Sequence, residues 1–389
     1  MLTAEWSATN SHRKQNAAGQ HPAVIFCRKS TERKIKLQNK YYRPDGYIDM
    51  AKIIEMPFPF IFVMHGRGTG KTYGACEYLL KHDQKFMLLR RTQVEADTIS
   101  YTDFSPFQPV LADNPDLQPV VVNALPNVKN VHGIWHGALN PDTGKIDPEG
   151  DPIGYVAALS TFSNIRGFNG EQIKIVLFDE FIPEAKSRVI KHEDLAFLNV
   201  VETIGRNREL KGQPPLKVVC LSNANKLASP IFQALGIMDK VDRMAMTGKQ
   251  ECLLHDRGIA ILKLADSPIS DRKKDTALYK AAASSEFTDM SLGNSFDMSN
   301  WLYVKTEPLD EYRIVAQYED VYIYRHKTQK WYYVSRHKAG TVKNVYVNEP
   351  FSKKRLKREQ MLFYECWLHG AVSFQDFYCK VQMWESLDT

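Results

Sequence analysis

The chain has 389 residues, 43% of them apolar and 25% charged, and a formal net charge of +6. This is a globular composition, long enough for two or three domains around a sizeable core, and it excludes collagen-like, mucin-like and wholly disordered classes. The longest apolar run, Pro57 to Met64, is far shorter than the ~20 residues of a membrane span, and the six cysteines (Cys27, Cys76, Cys220, Cys252, Cys366, Cys379) have no CxxC spacing, so they read as reduced thiols.

Residues 1–40 are polar and form a basic arm. They carry eight Lys/Arg and two acids, which accounts for the whole net charge. A basic arm on a neutral body fits contact with a polyanion, and equally a solvated tail. Ala23–Cys27 is its one candidate strand. The arm lacks the basic-then-apolar pattern of a secretory signal.

From residue 41 to 240, within a first domain expected over 41–265, short apolar runs alternate with helical stretches. Strands are expected at Pro59–Met64, Phe86–Leu89, Pro119–Asn123, Ile173–Phe178 and Lys217–Leu221. Helices are expected at Thr72–His82 and Leu195–Glu202. Such alternation predicts a mainly parallel α/β sheet.

The first of these strands runs into His65-Gly66-Arg67-Gly68-Thr69-Gly70-Lys71-Thr72 and then a helix. Strand, glycine-rich loop and helix, in that order, make a phosphate cradle. The glycines let backbone N–H groups turn toward phosphate oxygens, and the helix N-terminus adds partial positive charge. Lys71 would reach the β/γ-phosphates of ATP, and the Thr72 hydroxyl would ligate Mg²⁺. His65 stands where the usual GxxxxGK[ST] pattern begins with glycine. The loop must therefore turn with a side chain there, or draw its freedom from Gly66.

Between Val131 and Leu159 the turn signals Asn140-Pro141-Asp142, Thr143-Gly144 and Pro148 to Pro152 suggest an antiparallel hairpin insertion. Arg166 follows it. Ile175-Val176-Leu177-Phe178-Asp179-Glu180 is an apolar strand ending in two acids, the Walker B arrangement. Asp179 would hold Mg²⁺, and Glu180 would orient or deprotonate the attacking water. Arg206-Asn207-Arg208 follows a helix. Phosphoryl transfer gains from arginines that neutralise developing charge, so Arg67, Arg166, Arg206 and Arg208 are candidates, each with a surface salt bridge as its alternative. Asn223, after the strand Lys217–Leu221, would sense the γ-phosphate or else cap the next helix.

Residues 266–300 change character, and Ser270–Ser285 reads as a linker helix. Residues 301–389 are β-rich, with strands expected at Trp301–Lys305, Tyr312–Tyr318, Val321–Arg325, Trp331–Val334 and Val342–Val347. Two helices are expected within Leu356–Gln382. The cluster Lys353, Lys354, Arg355, Lys357, Arg358 would meet DNA or RNA phosphates or an acidic protein rim, or form a solvated helix face. Trp331-Tyr332-Tyr333 reads as hairpin packing rather than a base-stacking platform.

In combination and in order, Gly66 to Thr72, Asp179-Glu180-Phe181-Ile182, Arg206-Asn207-Arg208, Leu221-Ser222-Asn223-Ala224 and Met290 to Phe296 resemble the phi29-like phage DNA-packaging ATPases, small relatives of terminase large subunits. The resemblance covers about residues 41–300. It implies an ASCE/RecA-like P-loop ATPase domain, a helical linker and an RNase H-like, nuclease-derived C-terminal domain. It further implies a homomeric ring, a pentamer, docked on the portal of an empty capsid and driving double-stranded DNA inward, with a packaging RNA in some relatives. The expected location is the host cytoplasm, transiently on the procapsid. Carried over by position, Lys71 and Thr72 are the Walker A pair and Asp179 and Glu180 the Walker B pair. Arg206 matches a trans-acting arginine finger, and Arg166 stands where the family has a second trans-acting basic residue.

A live two-metal nuclease needs clustered acids from strand centres. Tyr312–Tyr318 contains none, and Glu319 and Asp320 fall at a turn, so cleavage is not expected. The competing readings are a terminase with an active nuclease and a nucleotide-gated ring scaffold that does not hydrolyse ATP. Glu180 argues against the scaffold, because a pure binder needs no catalytic carboxylate.

Overall fold

The computed structural model describes residues 40–126, 128–162, 168, 170–182, 190, 192–223, 229–264, 267–282, 304–369 and 371–387. The expected strand Ala23–Cys27, Arg166 and the segment Met290 to Phe296 lie outside them.

Nine strands form the first sheet: β1 (Phe60–His65), β2 (Phe86–Arg90), β3 (Val120–Ala124), β4 (Val131–Leu139), β5 (Ile146–Ala158), β6 (Ile175–Asp179), β7 (Lys217–Ser222), β8 (Glu251–Leu254) and β9 (Ile259–Leu264). Their spatial order is β3-β4-β5-β2-β6-β7-β1-β9-β8. The six from β5 to β9 pair in parallel, and both edges are antiparallel. The sheet is thus mostly parallel, as expected.

Alternation along these strands feeds two cores, one per face. Phe62, Met64, Met87, Leu89, Val176 and Phe178 pack with Phe197, Val200, Ile204, Phe232 and Val241. Ile61, Val63, Leu88, Leu177, Val219 and Leu221 pack with Ile53, Ala75, Cys76 and Leu79 on the other face. Strands covered on both faces need apolar residues at every position, which is why they read as unbroken apolar runs.

Two helices frame the site, α1 (Lys71–Lys81) and α2 (Glu193–Gly205). β4 and β5 form the antiparallel hairpin, but the apolar second half of β5, Gly154–Ala158, also joins the parallel sheet beside β2. Ile259–Leu264 was not anticipated as a strand, yet it pairs with β1. The linker helix is replaced by two short ones, Pro268–Lys273 and Ala277–Ala281. The turn at Lys274 to Thr276 between them breaks the helical run.

The second sheet has the order β13-β10-β11-β12-β14, with β10 (Tyr312–Tyr318), β11 (Val321–His326), β12 (Tyr332–Ser335), β13 (Val345–Tyr346) and β14 (Val372–Phe374). β10, β11 and β12 form an antiparallel meander, and β13 runs parallel to β10. Only two residues of the expected Val342–Val347 strand are in the sheet, and of Trp301–Lys305 the described part contributes a bridge from Val304 to Phe374. The expected helical pair is instead three helices, Pro350–Glu359, Met361–Leu368 and Phe377–Leu387, with β14 between the last two. Tyr332 and Tyr333 are buried, and Trp331 Nε1 donates to Ser373 Oγ at 2.9 Å, so this aromatic run is hairpin packing. Ala316, Tyr318, Ile323 and Val334 share one buried cluster with Phe232 of the first sheet's cover. At that seam Gln233 Nε2 donates to Asp320 Oδ2 at 2.7 Å.

Candidate nucleotide site

Parallel strands end together, so their last residues share one crevice at the carboxyl edge of the sheet. β7 lies between β1 and β6, with Met64 level with Ser222 and Asp179 level with Leu221. β2 flanks β6, with Leu89 level with Phe178. The register brings the phosphate loop, Asp179, Asn223 and the end of β2 to one place.

The loop after β1 turns through Gly68 (φ +62°) and Gly70 (φ +89°), not at its first position. A side chain at Gly70 would also meet the Tyr47 ring. α1 starts directly after Gly70 without a side-chain cap. Its first N–H groups therefore form a ready anion site.

His65 does not disturb this turn, because it still belongs to β1 and its ring is buried. Gly66 N–H donates to His65 Nδ1 at 2.9 Å, which leaves the proton on Nε2 to be donated to Tyr42 Oη, also at 2.9 Å. Burial holds this imidazole well below the ordinary histidine range, and the Lys71 and Lys273 charges act the same way. The histidine is a neutral brace that pins the loop to the segment before β1.

Lys71 is only 5% exposed. Its ammonium donates to the carbonyls of His65 (3.0 Å) and Gly66 (2.7 Å). Burial pushes its pKa down to about 7; Lys273 and Arg67 act in the same direction, and Asp179 and Glu180 against it. Thr69 Oγ1 donates to Gly66 O at 3.0 Å, closing the loop on itself. Arg67 is exposed.

Thr72 Oγ1 donates to Asp179 Oδ2 at 3.0 Å. A hydroxyl and a carboxylate converging at this spot are hard oxygen donors of the type Mg²⁺ prefers. That ion takes one or two protein oxygens and fills the rest of its shell from phosphates and water. Thr72 and Asp179 are the residues that would hold it. Among the described residues no group of three or more His, Cys, Asp or Glu converges.

Glu180 adopts φ +58°, a left-handed conformation costly for a non-glycine residue, and its N–H donates to Asp179 Oδ1 at 3.1 Å. The kink turns the chain off β6, after which Phe181 N–H returns to Leu221 O. The Glu180 side chain is 44% exposed, whereas Asp179 is buried.

Sequence reasoning missed Arg90. It ends β2 and places Nη2 3.2 Å from Asp179 Oδ2 and Nη1 3.9 Å from Glu180 Oε2. The available signal was a buried strand ending in two arginines beside one ending in two acids.

Arg206 follows α2 with φ +38° and donates to Thr203 O at 3.2 Å and Phe168 O at 2.8 Å. Arg208 is buried and donates to Ile173 O (2.6 Å) and Glu171 O (3.1 Å), pegging the chain that enters β6. Asn223 follows β7 but does not cap the helix Pro230–Ala234, whose cap is Ser229. On Pro350–Glu359, Lys354 and Arg358 are exposed, while Arg355 pairs with Glu359 and its guanidinium lies against the Tyr346 ring.

The fold is similar to "The bacteriophage Phi-29 viral genome packaging motor assembly", at TM-score 0.58 and 19% identity over 87% of this chain and 98% of that one. It is also similar to "The Phi-28 gp11 DNA packaging Motor", at TM-score 0.53 and 19% identity over 90% and 99%. No curated protein sequence matches the chain. The model of the podovirus DNA encapsidation protein (Gp16) family matches residues 146–366, more than half of the chain, and with β5, β6, β7 and the first strands of the second sheet inside that match, the chain belongs to this family.

Proposed function

We propose that the chain is the ATP-hydrolysing motor of viral genome packaging, driving double-stranded DNA through a capsid portal. The observation that carries the reading is the convergence of Lys71, Thr72, Asp179 and Glu180 at one strand edge with β7 between the two motif strands. Lys71 and the α1 N-terminus bind the polyphosphate, Asp179 and Thr72 hold Mg²⁺, and Glu180 orients the attacking water and accepts its proton. Mg²⁺, when bound, supplies charge neutralisation at the phosphates. Arg206 and Arg166 act across a subunit boundary of a homomeric ring, a pentamer as in the family it resembles. Asn223 senses the γ-phosphate.

The C-terminal domain is a nuclease-derived fold that does not cut. β10 carries no acid, Asp320 is engaged by Tyr378 and Gln233, and Asp376 pairs with Arg336 at 2.6 Å. The Lys353–Arg358 helix contacts DNA, a structural RNA or the portal. The motor works in the host cytoplasm on the procapsid.

The test is ATP hydrolysis by purified protein with and without double-stranded DNA and with empty capsids. Glu180→Gln and a supercoiled-plasmid assay run in parallel. DNA-stimulated turnover lost in Glu180→Gln, without plasmid cutting, supports the motor. Plasmid cutting supports an active terminase. Retained hydrolysis in Glu180→Gln removes the assignment of Glu180.

A further inference from the structure

We infer that Lys273 is a further ligand of the polyphosphate within the same subunit, carried by the segment that leaves the motor sheet after β9, so that this segment senses whether the phosphate loop is loaded. The inference rests on the nucleotide reading above and adds to it a residue from outside both motifs.

Lys273 is the last residue of the helix Pro268–Lys273, and its Nζ donates to Arg67 O at 2.5 Å, inside the loop. It reaches there because Gly68 has no side chain: a Cβ at that position would collide with the Lys273 ammonium. Gly68 is held to glycine by its positive φ, and the lysine passes over the open face this leaves. Among the described residues no carboxylate lies within ion-pair distance of Lys273, and its part-buried stem lowers the affinity of the amine for its proton. Three cations of one chain, Arg67, Lys71 and Lys273, therefore meet at a loop whose N–H groups already favour an anion. At Lys71 the Lys273 and Arg67 charges are opposed by Asp179 and Glu180, and a multiply charged anion would add to that neutralisation at the loop itself.

The helix is held in place for this. Ser267 caps it through Ile269 N–H and donates to Gly46 O, Ile269 is buried, and Arg272 Nη2 donates to Asp45 O at 2.5 Å. The turn that receives these bonds is itself anchored on the loop, with Ile48 N–H donating to Thr69 O at 3.0 Å. Lys273 is presented by a preorganised platform, so exchanging the Arg67 carbonyl for a phosphate oxygen needs only a side-chain movement.

The test titrates the full chain with a fluorescent ATP analogue, ATP, inorganic triphosphate and adenosine. The variants are Lys273→Ala, Lys273→Arg and Lys71→Ala, each checked for a retained thermal midpoint. The expected result is about a tenfold loss of ATP and triphosphate affinity in Lys273→Ala, recovery in Lys273→Arg, and no change for adenosine. Wild-type affinity in Lys273→Ala alongside lost binding in Lys71→Ala would overturn the inference and leave the phosphate site standing. Wild-type affinity in Lys71→Ala as well would remove both. A second readout needs no variant. Saturating ATP should slow tryptic cleavage at Arg272–Lys274 relative to cleavage at Lys353–Arg358, and equal rates at both places would overturn the sensing role.

Discussion

Arg91 and Glu193 form a buried, bidentate ion pair, Nε to Oε1 at 2.7 Å and Nη2 to Oε2 at 3.0 Å, with 3% and 5% of their side chains exposed. The pair ties the residue after β2 to the first turn of α2, the helix whose far end leads into Arg206. A buried pair contributes little net stability over apolar residues of the same volume, but a single buried charge left behind is costly. Glu193→Ala should therefore lower unfolding free energy by about 3–5 kcal/mol, while Arg91→Met with Glu193→Met should sit closer to wild type than either single change. Equilibrium urea denaturation measures this, and additive losses in the double variant would show that the two residues do not act as a pair.

Arg90 supplies the charge that lets two acids stand side by side at the end of β6. Asp179 Oδ2 accepts from Thr72 and is paired with Arg90, so removing the guanidinium leaves the carboxylates to repel one another and to swing. Arg90→Ala should lower kcat for ATP by about tenfold or more with KM changed less than threefold, because the residue orients hydrolytic groups rather than the nucleotide. Arg90→Lys should recover only part of the rate, since an ammonium lacks the planar fork that spans both carboxylates. A larger change in KM than in kcat would place Arg90 in nucleotide binding instead.

The readable parts of this chain are those where local chemistry and fold demand the same residues. β1, β2, β6, β7, β10 and β11 were legible because burial on both faces or strict alternation fixes an apolar pattern. The loop Gly66–Thr72 was legible because phosphate binding dictates glycine and lysine at set spacings. Arg90, Arg91 and Lys273 were not, since their meaning comes from register and from contacts over more than eighty residues of sequence, as with Arg90 and Asp179. Arg208 shows the same limit. Nothing in an Arg-Asn-Arg run tells that the second arginine donates to the Ile173 and Glu171 carbonyls at the entry to β6. The short helices after β9 failed for a third reason: Ser270–Ser285 has helix-forming composition but the turn at Lys274 to Thr276 divides it.

His65 should prove structural, not catalytic. Tyr42→Phe removes the acceptor of a buried N–H and should cost about 1–3 kcal/mol. ATP affinity, measured by fluorescent analogue titration, should stay within threefold, because Lys71 and the glycines are untouched. His65→Gly restores the usual loop pattern yet should destabilise by more, through the lost ring packing and a cavity. A gain in thermal midpoint on that change would contradict the brace.

Arg206 should act on a neighbour's nucleotide. It sits at the end of α2 in a left-handed conformation, with its guanidinium on Thr203 and Phe168 carbonyls, a store from which it can be released. Arg206→Ala should retain ATP binding and lose about 10³-fold or more in hydrolysis. Mixed rings of Arg206→Ala and Glu180→Gln subunits should regain turnover, because some sites then join an intact Glu180 to an intact neighbouring Arg206. Mixed rings as inactive as either parent would assign Arg206 to its own subunit.

Lys71 predicts a proton linkage. Its pKa in the folded chain is pushed down to about 7, below the ordinary lysine value, by burial first and then by Lys273 and Arg67, with Asp179 and Glu180 opposing. Between about pH 7 and 10 the unfolded chain holds this proton and the folded chain releases it, so Lys71 makes stability rise with pH across that window and contributes no slope below it. Lys71→Met should remove that rise in urea midpoints measured from pH 7 to 9. Bound polyphosphate favours the ammonium, so ATP binding at pH 8.5 should take up close to one proton more in wild type than in Lys71→Arg, whose guanidinium stays charged. Calorimetry in two buffers of different ionisation enthalpy reads this uptake directly. Equal uptake in the two proteins would mean that the Lys71 amine is already protonated in the free loop, with Asp179 and Glu180 outweighing its burial.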